Sequence, residues 1–216
     1  PFTMKNAVCM HEEDYGTLWK HYEFRTDVFE VRRSRRLVIS FFCTVGNYDY
    51  GFYWYLYQDG TIEMETKLTG IIQTAGMVPG TKPECGGGIV TPEIYGPSHQ
   101  HFFNARLHMM LDGEQNSVLE TNFSPKPTGE GNPWGNAFNT EVTTLASEQQ
   151  AAREENGQSG RFWKVINPNK TNAVGNHPGY KLMAEHNPVM LAQADSYIGQ
   201  RAGFAANHVW VTPYDP

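Results

Sequence analysis

Three consecutive runs between residues 37 and 68 constrain the fold more than any other feature of the chain. Leu37 to Thr44 (LVISFFCT) is β-branched and aromatic and reads as a buried strand. Tyr50 to Tyr57 (YGFYWYLY) reads as a second strand. Gln58-Asp59-Gly60 follows as a turn, because Asp-Gly tolerates the positive φ angles that tight hairpins need. Thr61 to Leu68 then alternates. Ile62, Met64, Thr66 and Leu68 take one face and Thr61, Glu63, Glu65 and Lys67 the other, the period-two pattern of a half-exposed strand. Together these runs predict an antiparallel meander over residues 37–70, with Val45 to Asp49 between its first two strands.

The remaining segments extend the same picture. Gly76 to Gly96 is rich in Gly and Pro and reads as a long loop, as do residues 125–136. His101 to Leu111 is apolar with polar interruptions and stops at Asp112-Gly113, a strand-and-turn signal. Trp163 to Ile166, Tyr180 to Met183 and His208 to Val211 are short strand candidates. Ser147 to Asn156 (SEQQAAREEN) has helix formers but little apolar face and is expected to be a short exposed helix. There is neither an internal repeat nor a linker. The reading is all-β, a large antiparallel β-sandwich with long loops.

Composition excludes some partners. The 216 residues carry a formal charge of −6. The basic cluster Arg32, Arg33, Arg35 and Arg36 is short and reads as lying before the first strand, so a nucleic-acid partner is not expected. No apolar run approaches the roughly 18–20 residues needed to cross a bilayer as a helix, so no membrane partner is expected either. Cys9, Cys43 and Cys85 form an odd set without CxxC, which excludes a zinc ribbon. Asn122-Phe123-Ser124 and Asn169-Lys170-Thr171 are glycosylation sequons that leave the compartment open. Pro1-Phe2-Thr3 and Tyr214-Asp215-Pro216 read as mid-chain sequence, so the chain is expected to be one partial domain, residues 1–216, truncated at both ends.

Two groups of residues carry chemistry. In His99-Gln100-His101 an extended backbone sends residues i and i+2 to the same face, so two imidazoles can converge on one metal ion. Such a pair suits zinc, iron, nickel or copper, with copper the tightest of the divalent ions. It is also compatible with an ordinary pair of structural histidines. His108, seven residues past His101, would face the other way on a regular strand. The second group is Thr44-Val45-Gly46-Asn47-Tyr48-Asp49-Tyr50, whose tyrosines alone are compatible with core packing.

In combination, TVGNYDY followed about fifty residues later by HQH resembles the copper amine oxidase family. CMHEEDYG from Cys9, NYDYGFYWYL from Asn47, DGTIE from Asp59, GPSHQH from Gly96 and VWVT from Val209 are similar to that family in the same order. The resemblance implies a β-sandwich catalytic domain. Tyr48 corresponds to the tyrosine converted to topaquinone, Asn47 to the neighbour that orients the quinone, and Asp49 to the acidic position of the motif, with a structural role. His99 and His101 correspond to two of three copper ligands; the third lies downstream in the family and the catalytic aspartate upstream. Cys9 corresponds to a cysteine with an upstream disulfide partner, whereas Cys43 and Cys85 read as small core residues. The implied activity is oxidative deamination of primary amines with dioxygen to aldehyde, ammonia and hydrogen peroxide, by a ping-pong mechanism in a homodimer. Family members that bind calcium beyond the second histidine use oxygen donors where this chain has His108 and Met110, so that site is expected to be weak or absent here. The compartment implied is peroxisomal or secreted, without a choice between them.

Two other readings are compatible with parts of the sequence. A cupin-like metal oxygenase also places HxH on a strand, but its motif continues with a glutamate, and Phe102 to Met110 contains no acidic residue. A binding module derived from the oxidase but no longer catalytic would not need Asn47, Tyr48, Asp49, His99 and His101 together.

Overall fold

The computed structural model describes residues 3–83, 86–184 and 187–213. Cys85 and the terminal stretches Pro1-Phe2 and Tyr214-Asp215-Pro216 lie outside the described residues. The chain gathers into two compact units, residues 1–99 and 100–216. Among the described residues both are built from antiparallel strands with very little helix, the all-β class expected. Among the described residues no helix is long and apolar enough to cross a membrane.

The first unit is led by a four-stranded meander: β1 (Cys9–Glu23), β2 (Val28–Val45), β3 (Tyr48–Tyr57) and β4 (Ile62–Gly70), hydrogen-bonded in that order. The expected strands are all present, and β2 begins nine residues earlier than the apolar run indicates. Its early half is held by charge. Arg33 pairs with Asp14 at 2.6 Å and Arg35 with Glu12 at 2.6 Å across the β1–β2 ladder, Arg32 pairs with Glu30 at 2.6 Å, and Arg36 meets Glu13. The arginine cluster is therefore inside a strand and not before it, and each guanidinium has a carboxylate.

The two faces of the meander differ. Val38 opposite Tyr55 is the buried centre of one face. On that face Arg36 lies between the rings of Tyr15 and Tyr55, at 3.8 and 3.6 Å from their centroids, and its Nη1 donates to the Tyr57 hydroxyl. Tyr55 and Tyr57 donate to Glu65 and Glu63, each at 2.6 Å. Burial and the adjacent carboxylates push both phenols above the ordinary tyrosine range, so these hydroxyls stay protonated. The charged face of the alternating strand is thus spent on tyrosines. Tyr48, Tyr50, Phe52, Trp54 and Leu56 alternate on the other face.

A smaller sheet corrects one expectation. Gly76 to Gly96 is not a continuous loop: β5 (Ala75–Gly76), β6 (Gly87–Thr91) and β7 (Ile94–Pro97) pair in the order β5-β7-β6. The glycines serve close backbone approach. At Gly87, φ is +133° and a Cβ would sit 2.1 Å from the Gly96 carbonyl oxygen.

The second unit is centred on β8 (Ser117–Pro125), β9 (Phe138–Thr144), β11 (Phe162–Ile166) and β12 (Gly179–Leu182), ordered β12-β11-β8-β9. Short pairing of β10 (Ala152–Arg153) with β13 (Val209–Trp210) and a helix α1 (Tyr197–Arg201) complete it. Trp163, fully buried, and Phe162, Val165 and Ile166 form its core. Two further expectations fail here. Residues 101–110 carry no regular secondary structure, because apolar spacing makes a strand only where a ladder partner exists. Residues 147–156 form a single 3-10 turn at Glu148–Gln150 and then β10, since helix propensity without an apolar face does not offset the cost of nucleation.

Candidate active site around Tyr48

The turn between β2 and β3 is only Gly46-Asn47, with Gly46 at φ +62°. Tyr48 and Asp49 therefore belong to β3 itself, and not to a connection between strands. Tyr48 pairs with Val45 on one side and Gly70 on the other. Gly70 has φ +107°, and a Cβ there would lie 2.5 Å from the Asn47 carbonyl oxygen and 2.8 Å from the Tyr48 Cα. Glycine is what lets the end of β4 close on this turn.

The chain leaving Gly70 then crosses the tyrosine. Ile71 N–H donates to the Asn47 carbonyl at 2.7 Å, and Gln73 N–H donates to the Tyr48 hydroxyl oxygen at 3.3 Å. Asn47 Nδ2 donates to Gln73 Oε1 at 3.0 Å. Thr44 Oγ1 donates to Asp49 Oδ1 at 2.5 Å, tying the last residues of β2 to the start of β3.

Residues 71–74 lead into β5, β5 pairs with β7, and β7 delivers His99 to the same place. His99 Nε2 is 2.8 Å from the Tyr48 hydroxyl, and its Nδ1 is 2.8 Å from the Pro97 carbonyl oxygen. A carbonyl only accepts, so the network assigns the ring proton to Nδ1. Nε2 then presents its lone pair and accepts from the Tyr48 hydroxyl. A neutral imidazole oriented through Nδ1 by a backbone carbonyl is the form in which histidine ligates metals. The donor set at Tyr48 thus fits a metal held through His99 Nε2 next to a phenol oxygen.

Sequence reasoning singled out Asn47, Tyr48, Asp49, His99 and His101. The structure gathers Asn47, Tyr48, Asp49 and His99 within the first unit. His101 is half-buried and belongs to the second unit. Among the described residues no three His, Cys, Asp or Glu side chains form a ready metal cluster. Cys9 is an exposed free thiol 3.6 Å from His11 Nδ1, and Cys43 is a half-buried free thiol in β2. Gly70, Gln73 and Pro97 were missed. The only sequence signal for them was a glycine closing an alternating strand.

A copper amine oxidase, enzyme domain, profile matches residues 1–216. The chain belongs to the copper amine oxidase family. It is 50% identical over 212 residues to a histamine oxidase of Arthrobacter globiformis, covering 98% of this chain and 31% of that protein. It is 47% identical over 218 residues to a copper-containing peroxisomal diamine oxidase of Nicotiana tabacum, covering 99% of this chain and 28% of that one. The fold agrees with the crystal structure of a copper-containing benzylamine oxidase from Hansenula polymorpha, at a TM-score of 0.90 and 33% identity over 97% of this chain and 33% of that chain. The chain spans about a third of the length of these relatives. Membership of this family removes the cupin alternative.

Proposed function

We propose that this chain is the cofactor-bearing part of a primary-amine oxidase, in which Tyr48 is the topaquinone precursor and His99 and His101 are two of the copper ligands. The observation that carries the reading is the 2.8 Å approach of the Tyr48 hydroxyl to His99 Nε2. It joins the only two motifs that resemble family chemistry, across fifty-one residues of chain. The overall reaction takes a primary amine, dioxygen and water to an aldehyde, ammonia and hydrogen peroxide. Copper with dioxygen supplies the oxidising power that turns the Tyr48 ring into a quinone, which serves as the electrophile and two-electron acceptor for the amine.

The chain's own residues prepare that chemistry. Pro97 fixes the tautomer of His99, so that Nε2 is an acceptor toward the phenol and a donor toward a metal. Gln73 N–H stands at the Tyr48 oxygen, and Asn47 is anchored by Gln73 Oε1. Asp49, engaged by Thr44, fixes the strand on which the tyrosine sits and is given no part in proton transfer. The proton-abstracting base, the third metal ligand and the homodimer expected from the resemblance are assigned to the complete protein.

The reading is tested on the complete protein produced with and without copper. The peptide covering residues 44–50 is expected to carry an oxidised tyrosine, reactive toward phenylhydrazine, only after exposure to copper and air. An unmodified Tyr48 in copper-loaded, aerated protein overturns it. His99→Ala is expected to lower copper content and leave Tyr48 unprocessed, with little change in melting temperature, because the β-core does not rest on one metal site. Normal quinone formation in that variant removes His99 from the ligand set.

A further inference from the structure

Gln73 was assigned nothing by the motif, yet it makes two separate contacts to the cofactor-bearing turn. Its main-chain N–H reaches the Tyr48 hydroxyl oxygen, and its side-chain Oε1 accepts from Asn47 Nδ2. Around it, residues 71–73 form a strap. The strap is pinned at one end by Ile71 N–H on the Asn47 carbonyl. At the other it is packed so closely that a Cβ on Gly96 would meet Ile72 Cδ1 at 2.7 Å. Gln73 itself is exposed, and its side chain fills no core.

We propose that Gln73 is a positioning residue for the conversion of Tyr48 to the quinone, a role that rests on the proposed copper and quinone reading. Gln73 N–H is aimed at the Tyr48 oxygen, the atom that would lie beside a metal held on His99 Nε2, and a donor fixed there would orient the ring for its oxidation without reorganisation. The side chain keeps this donor in place by clamping the strap to Asn47, and the same bond holds the Asn47 amide at one position. Glutamine suits the task because its Oε1 accepts without bringing a full charge to the metal's neighbourhood.

The test uses the complete protein, purified without copper and then given copper in air. Quinone formation is followed by visible absorbance and by phenylhydrazine titration. Gln73→Leu keeps the approximate shape and removes the acceptor. It is expected to slow quinone formation on the order of ten- to a hundredfold, as losses of supporting hydrogen bonds around metal sites do. Its metal-free melting temperature and copper stoichiometry are expected to match those of the wild type. Gln73→Glu restores an acceptor for Asn47 Nδ2 and is expected to recover most of the rate. Equal rates in wild type and Gln73→Leu overturn the proposal. So does a Gln73→Leu defect that parallels a fall in melting temperature or copper content, or that Gln73→Glu fails to relieve. Absence of quinone in the wild type overturns the underlying function instead, which keeps the two failures distinguishable.

Discussion

Tyr48 in the first unit and Glu120 in the second are each the hub of a polar network, and the two networks are built in opposite ways. Tyr48 is half-buried, and its hydroxyl meets the His99 imidazole at 2.8 Å and the Gln73 main-chain N–H at 3.3 Å. Glu120 is only 2% exposed and saturated with donors. Arg153 grips it through Nε at 2.6 Å and Nη2 at 2.7 Å, Asn122 Nδ2 and Trp163 Nε1 donate to it, and Arg161 is 3.2 Å away. Burial alone raises the Glu120 carboxyl, but hydrogen bonds from Arg153 and Asn122 and the charge of Arg161 outweigh it. Its pKa lies below the ordinary glutamate value. The perturbed carboxylate is thus architectural, because a buried charge satisfied by this many donors has no capacity left for a ligand.

The comparison breaks most sharply at Tyr48. In the complete protein, Tyr48→Phe is expected to reduce amine-dependent peroxide release to background while copper content and thermal unfolding are retained. Removing one hydroxyl from a half-exposed ring costs little packing and all of the quinone chemistry. Residual turnover with a bound quinone places the cofactor elsewhere. Glu120→Ala is the converse. It strands Arg153 and Arg161 in a largely buried site and is expected to cost about 3–5 kcal/mol of stability, the range for breaking a buried pair. Denaturant unfolding reads the loss. Quinone formation in the surviving folded fraction is expected to proceed, and its abolition there would mean that the two networks are coupled.

Smaller effects sharpen the same contrast. Because the folded pKa of Glu120 is depressed, its contribution is fully present above the unfolded glutamate value of about 4.3 and is lost as pH falls through the lower folded value. Glu120→Gln is therefore expected to flatten the acid limb of the stability curve below about pH 4.3. An unchanged acid limb assigns that dependence to other carboxylates. Smallest of all is Arg35→Ala. The Arg35–Glu12 pair is short but solvent-exposed on both sides, and water and salt screen it. No resolvable change in melting temperature is expected, and a clear fall would show that the charged half of the β1–β2 ladder carries more than its exposure allows.

The sequence was informative where the signal was local. The alternation of Thr61 to Leu68 and the aromatic run of Tyr50 to Tyr57 located the meander, because a strand's period of two is written in consecutive residues. The Asp59-Gly60 turn was legible for the same reason: Gly60 sits at φ +87° and Asp59 Oδ1 accepts from Thr61 N–H. Failures came where a segment's state depends on a distant partner. Gly76 to Gly96 had glycine enough for a loop, but close backbone pairing draws it into the sheet of β5, β6 and β7. His101 to Leu111 had strand-like spacing without a ladder. The Asn122 sequon carried no hint of its role in the fold, where its side chain donates to Glu120 and accepts from Ser159 and Arg161.

The sequence by itself determined an antiparallel β chain and the motif pair of NYD and HQH that marks the family. It left Tyr48 in a connection, and the structure makes it the first residue of β3. The tertiary structure decided that the strap over residues 71–73 brings His99 within a hydrogen bond of Tyr48, that Gln73 holds both the tyrosine and Asn47, and that Glu120 is a buried anchor. The physical reason is range. Turn chemistry and strand periodicity act between neighbours and are encoded at fixed short spacing. The approach of His99 to Tyr48 is set by strand pairing and by the room left at Gly70 and Gly96, which no local pattern specifies.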